Sequence, residues 1–288
     1  MKRIIITGIL STMVVCCILM AWFLHLYPSD KVNEIKYNEN KSEIVKFYYS
    51  DTLQNEYLRK LRNDYHLGEI TRNATSDMEK IKIILNWVNG QWEHSGMNTP
   101  EKSDAISILN EAKQGKKFRC VEYGIVCAAA LNSIGYKSRV IKLKTKDVET
   151  VLLGAGHVAT DVFVPQYNKW VFADGQFNAI PFLGDQPLNA VEFQNAILNN
   201  FDHLEIANMN GHFDQTDKKG YVGFVGKHLF YLDVAFDNRN GVDELLGHNG
   251  KYRLMLVPVG EKEPKRFQVF GKIDAIYTNS KFNFYQKP

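Results

Sequence analysis

The chain of 288 residues has few prolines, no low-complexity tract, no internal repeat and no large excess of either charge. With 45% hydrophobic residues and only 8 prolines, it is neither disordered nor collagen-like, and it reads as a globular protein of one or two domains. Lys and Arg number 35 against 32 Asp and Glu, so there is no electrostatic footprint for nucleic acid, and none is expected as a partner. Cysteine is also scarce. Four are too few for a disulfide framework, and no Cys/His spacing suits zinc. The run Asp237-Asn238-Arg239-Asn240-Gly241 resembles part of a calcium loop, but Arg239 stands where an oxygen ligand is required, so it reads as a turn. No cofactor or metal is expected.

Long uncharged runs are confined to the start. After Lys2 and Arg3, residues 4–27 carry no formal charge, enough at about 1.5 Å per residue to cross a hydrocarbon core of about 30 Å. The run closes on Met20-Ala21-Trp22-Phe23-Leu24 rather than on small residues, which favours an uncleaved signal anchor over a cleaved signal peptide. Val14 and Val15 before Cys16-Cys17 argue against lipidation. Lys2 and Arg3 on the cytoplasmic side place the rest of the chain outside the cell membrane as a single-pass protein. The divisions expected are a signal anchor over 1–28, a polar stalk over 29–50, a core over 51–180 and a mixed, then β-rich, extension over 181–288.

Within the core, Leu53, Tyr57 and Leu61 at spacing four predict a helix over 52–65. Ser76 and Glu79 read as a capping box before Ile81, Ile84, Leu85, Val88 and Trp92. Ser103 is a cap for a shorter helix ended by Gly115, and a further helix runs from Cys120 to Gly135. Residues 139–143, 157–164 and 169–173 alternate as strands, so the layout is α+β. Residues 188–198 look helical. Tyr221 to Phe236, Tyr252 to Val259, Arg266 to Phe270, Ile273 to Tyr277 and Phe282 to Tyr285 read as strands, either extending the first sheet or forming a small β domain.

Cys120 sits where a glycine-containing loop gives way to a helix. Free N–H groups, the helix dipole and the neighbouring Lys116, Lys117 and Arg119 all favour a thiolate there. Cys127, two turns deeper among alanines, reads as a small buried residue; on one helix the two lie roughly 10 Å apart, too far to bridge. A nucleophilic thiol needs a base and the base an orienter. His157 opens a strand whose hairpin partner ends at Asp174. If the loop is Pro165-Gln166, His157 comes opposite Asp174; if it is 165–168, the two are one diagonal step apart. Both registers put them on one face. Asp161 shares that face and is the next candidate for the third role.

The runs GKKFRCVEYGIVCAAALNSIGYKSRV (115–140) and GHVATDVFVPQYNKWVFADG (156–175) resemble the core of the transglutaminase-like superfamily, over roughly residues 76–176. The shared pattern is a glycine-led loop into a cysteine on a helix, then GI-x-x-R-V, then Gly-His opening a strand, then W-V-x-x-D. The resemblance implies a papain-like α+β core with Cys120 as nucleophile, His157 as general base and acid, and Asp174 as orienter. It allows an upstream indole, Trp92 or Trp87, as second oxyanion donor beside the Cys120 N–H; Gln114 is the other candidate. Asp174-Gly175-Gln176 departs from the family's common Asp-Pro-Thr. The function implied is cleavage or transfer of amide acyl groups through a thioester, with a protein, peptide or cell-wall peptide as substrate. Hydrolysis is preferred because no amine site can be read. A protein-crosslinking transglutaminase and a non-catalytic cell-surface binding module that keeps the fold are the alternatives.

Overall fold

A computed structural model describes residues 12–17, 19–20, 26–40 and 45–288. The membrane span expected over 4–27 lies mostly outside the described residues; among those described, no helix is long and apolar enough to cross a membrane.

Four longer helices come first, α1 (Glu56–Asp64), α2 (Asp77–Asn89), α3 (Ala105–Lys113) and α4 (Cys120–Ser133), with one short helical turn, Leu67–Ile70, after α1. The first three of these start where a side chain satisfies a free N–H group of the first turn. Asn55 caps α1, later than expected, which leaves Leu53 outside the helix and exposed while Leu58 and Leu61 are buried. Ser76 caps α2 by accepting from the Glu79 N–H, but the Glu79 carboxylate reaches past Ser76 to the N–H and hydroxyl of Thr75. Asp104, not Ser103, caps α3, because its carboxylate accepts both from the Ser107 N–H and from the Tyr57 hydroxyl of α1. Gly115 and Gly135 take positive φ of 90° and 108° just beyond α3 and α4, a conformation that glycine adopts without strain.

The main sheet has six strands: β1 (Lys137–Lys144), β2 (Gly156–Val164), β3 (Lys169–Ala173), β4 (Tyr231–Ala235), β5 (Arg253–Leu256) and β6 (Ile276–Thr278), in the order β6-β5-β4-β1-β2-β3. All neighbours are antiparallel except β5 and β6. The three late strands therefore extend the first sheet. Alternation assigns its two faces: Val162, Val164, Val171 and Ala173 join the core under α2 and α4, whereas Ile141, Ala159 and Phe172 join a second core with α5 (Ala190–Asn199) and α6 (Gln215–Gly226).

Helix α6 replaces the first part of the strand expected from Tyr221 to Phe236; β4 covers only 231–235. Three glycines in this stretch obscure its helical period, but Asp214 accepts from two first-turn N–H groups and Tyr221, Val222 and Val225 make a buried face. Gly226 is needed there, since a Cβ would lie 3.0 Å from Val32. Likewise Lys281–Phe284 is a short helix capped by Ser280, not a strand. Residues 26–40, which overlap the polar stalk expected over 29–50, run against the body. Leu153 donates to the Leu26 carbonyl, Tyr37 to the Phe230 carbonyl and Val259 to the Lys36 carbonyl. In the segment expected to be a turn, Asp237–Asn238 pair in parallel with Tyr48–Tyr49, Arg239 is held on Asp237, and Gly241 packs on the Tyr57 side chain.

Helix α4 is the buried centre, packed on α1, α2 and α3 on one side and on β1 and β2 on the other. Its close approach depends on Gly124, where a Cβ would stand 2.8 Å from Val158 Cγ1 and 3.1 Å from the Ala159 carbonyl oxygen. Gly124→Ala should therefore cost roughly 1–3 kcal/mol, the usual penalty of overpacking, despite alanine's better helix propensity. Urea unfolding followed by circular dichroism checks this; an unchanged or raised midpoint would show that α4 can move away from the sheet freely.

Candidate active site

Helix α4 and strand β2 start together. With Gly124 set against Val158, the Thr160 hydroxyl donates to the Gly124 carbonyl at 3.3 Å, and Cys120, one turn earlier, lines the same cavity as His157. His157 is almost wholly buried, and its Nε2 lies 2.7 Å from Asp174 Oδ2. Because Asp174 occupies Nε2, Nδ1 is the nitrogen left for the Cys120 thiol. Val164 pairs with Lys169 across the hairpin, so of the two registers the four-residue loop is the one formed, and His157 stands one diagonal step from Asp174.

Asp174 is held from four sides. Its Oδ1 accepts from the N–H groups of Gln176 and Phe177 at 3.0 and 3.2 Å, and its Oδ2 accepts from the Tyr221 hydroxyl at 3.2 Å as well as from His157. Gly175 follows because a Cβ there would press on Val88 and Cys127 at 3.2 and 3.3 Å. Gly156 precedes His157 for a similar reason, as a Cβ would lie 2.9 Å from the Phe267 ring. Burial pulls the His157 pKa down, but Asp174 and then Cys120 outweigh it, and the net shift is upward, to about 10.

Tyr221, Phe224 and Phe177 surround the imidazole and its aspartate and escaped the sequence reading. The Phe224 and Phe177 rings lie 5.3 and 5.8 Å from His157. The signal that could have found Tyr221 and Phe224 is the helical period of 215–226, which its glycines obscure. Asp161 is not available to His157: it is buried in an ion pair with Arg139, its Oδ2 3.0 Å from Nη2.

Each loop cation has a carboxylate partner: Lys116 pairs with Glu111 at 2.5 Å, Lys117 with Glu93, and Arg119 with Glu122 at 2.7 Å. Of the oxyanion candidates, Trp92 packs beside the cysteine helix, 4.5 Å from the Tyr123 ring and 5.6 Å from Phe118, and its buried Nε1–H has no acceptor among the described residues. Trp87 instead packs edge-on against Tyr65. Gln114 is exposed as the C-cap of α3, and among the described residues no hydrogen bond ties it to Cys120. It closes the wrong element to reach the site.

Cys120 and His157 open on a cavity of about 340 Å³. Its floor continues along β1 and β4 to Lys142, Lys144 and Asp233, and Phe267 forms part of its wall. No group of three or more His, Cys, Asp or Glu that could hold a metal occurs among the described residues.

Residues 66–175 match the sequence model of the transglutaminase-like superfamily, so the chain contains a transglutaminase-like core. No curated protein matches the chain. Among solved structures, it is similar to a candidate cysteine protease from Cytophaga hutchinsonii, at 14% identity over 45% of this chain and 40% of that one, with a TM-score of 0.34. A protein described as a TGase matches at 18% identity over 41% of this chain and 31% of that one, with a TM-score of 0.32. A candidate protease from Parabacteroides distasonis matches at 13% identity, over 55% and 29% of the respective chains, with a TM-score of 0.31. The matches thus span less than half the length of each of these structures.

The two thiols of α4 differ in access. Cys120 is partly exposed on the cavity, whereas Cys127 is fully buried and burial pushes its pKa up to about 12. In the folded protein, iodoacetamide at neutral pH should alkylate Cys120 and leave Cys127 unmodified, as read by peptide mass spectrometry. Equal labelling would mean that α4 opens readily.

Proposed function

We propose that the chain is a thiol enzyme acting on amide bonds, more specifically a peptidase or amidase. The observation that carries this reading is Cys120 at a helix start, lining the same cavity as a buried His157 whose imidazole is held by Asp174. Cys120 is the nucleophile: its thiol proton passes to His157, Sγ attacks the amide carbonyl carbon, and the carbonyl electron pair moves onto oxygen. The first-turn N–H of Cys120 and the unpartnered Nε1–H of Trp92 are the donors assigned to that oxyanion. The C–N bond then breaks as His157 passes a proton to the leaving amine, which leaves a thioester on Cys120. His157 next takes a proton from water, and attack by the resulting hydroxide releases the acid and the thiol.

Water is favoured over an amine acceptor by charge. Four cations and two carboxylates line the cavity, a surplus that disfavours an approaching ammonium group. The intact arrangement of thiol, imidazole and carboxylate counts against a module that only binds. The proposal includes attachment through residues 4–27 with the catalytic part outside the cell, and a peptide or cell-wall peptide as substrate. Protease digestion of intact cells should remove the domain; its protection would overturn the placement.

Cys120→Ala and His157→Ala should each abolish turnover of peptide amides and the acyl adduct seen by intact mass. Asp174→Asn should reduce kcat/KM by on the order of a hundredfold or more, because an amide can hold the ring but cannot stabilise imidazolium by charge. The sign of the pH effect follows from His157. Asp174 is the largest influence raising its pKa and burial lowers it, so the alkaline limb of kcat/KM should move to lower pH in Asp174→Asn. Folded Asp174→Asn protein with full activity and an unchanged pH profile would remove Asp174 from the mechanism.

A further inference from the structure

The sheet face under α4 changes character where the helix begins. Side chains at alternate positions of β1 share a face, so Val140, Lys142 and Lys144 point the same way, and their cross-strand partners Val158 and Asp233 point with them. Gly124 covers Val140 and Val158. Beyond Cys120 the face continues as Lys142, Lys144, Asp233 and Arg253, all lining the cavity that holds Cys120 and His157.

These charges do not balance. Asp233 is almost wholly buried and bonds both Lys144 and Arg253, which together saturate it. Lys142 is left over: among the described residues it makes no hydrogen bond or ion pair, although it is half-buried between the same neighbours. The carboxylate acting on it, Asp233, is already shared by two other cations, while the cavity's remaining pair of charges, exposed Lys272 and Asp274, act on each other. Arg253, burial and Lys144 all act against its charge, and its pKa falls to about 8 despite Asp233. An ammonium group in that position gains from any anion that enters the cavity.

We propose that the cavity beside Cys120 selects substrates bearing a carboxylate close to the amide that is attacked, with Lys142 as the specificity-determining residue that receives it. This rests on the reading of Cys120 as a reactive thiol. Lys144 and Arg253 are committed to Asp233 and hold the floor in place, and Lys142 supplies the charge that is free to pair. In a peptide the carboxylate is either an acidic side chain or a free chain terminus, and both present the same chemistry to Lys142.

Alkylation of Cys120 in the full chain tests the charge without requiring turnover. Iodoacetate carries a carboxylate and iodoacetamide is its neutral counterpart, and peptide mass spectrometry reads Cys120 separately from the other cysteines. Lys142→Met, which keeps the apolar stem, should lower the iodoacetate rate relative to iodoacetamide by about tenfold, with the iodoacetamide rate unchanged. Lys142→Gln should behave alike and guards against a packing defect in either variant. An unchanged ratio with normal iodoacetamide labelling overturns the anion selection and leaves the thiol reading intact. No labelling by either reagent overturns the thiol reading and this proposal with it. Peptide amides then separate the two sources. A KM lower for Glu than for Gln beside the scissile bond assigns a side chain, and one lower for a free than for an amidated terminus assigns a chain end. Either preference should disappear in Lys142→Met with kcat retained, and preference in neither arm overturns the proposal.

Discussion

The contact of α4 with β2 at Gly124 is what the site depends on. A helix normally stands off a sheet by the thickness of its side chains. Here the missing Cβ lets the helix backbone come down onto Val158 and the Ala159 carbonyl. That contact sets the height and the axial register of α4, and the register places Cys120 level with the start of β2. Three helices packed on the other side of α4 keep it there. The catalytic geometry is thus held by residues that never meet a substrate, including Ile81, Leu85 and Val126 in the core above the sheet.

Strand β2 carries two buried charged arrangements four residues apart, and they do different work. His157 shares Asp174 with two backbone N–H groups and a tyrosine hydroxyl, so the carboxylate is fully engaged yet keeps an oxygen on the imidazole. Asp161 is instead matched to Arg139, whose guanidinium lies 4.3 Å from the Trp170 ring and 5.1 Å from Phe284. Burial pushes the Asp161 pKa up even with Arg139 beside it. Such a pair adds little net stability, because desolvation offsets its attraction, but it costs several kcal/mol to break on one side only. It anchors the C-terminal Phe284 and Tyr285 against the sheet and does not feed the site.

The aromatic lining around His157 comes from two segments distant in the chain. Phe177 follows Asp174 directly, whereas Phe224 and Tyr221 arrive on α6, after another fifty residues. This lining keeps water from the His157–Asp174 bond and so strengthens it. The opposite side of the imidazole faces the cavity, where charge replaces aromatic surface within a few ångströms of the thiol. One histidine therefore borders a dry interior and a charged pocket.

Local pattern alone determined much of this. Helix periods, the Gly-His and Asp-Gly steps and period-two alternation marked α2, α4 and β1 to β3, and they put His157 and Asp174 on one face in either hairpin register. Those signals act over a few residues, and nothing distant overrides them. Tertiary structure decided the rest. The pairing of Lys117 with Glu93 and of Asp161 with Arg139 depends on groups brought together from elsewhere in the chain. So does the helix at 215–226, where three glycines weaken the local preference and burial of Tyr221, Val222 and Val225 supplies what propensity lacks. The charged floor beyond Cys120 is the clearest case. Lys142 and Lys144 on β1, Asp233 on β4 and Arg253 on β5 are ordinary residues in three separate places along the sequence, and only the strand order β5-β4-β1 lays them side by side.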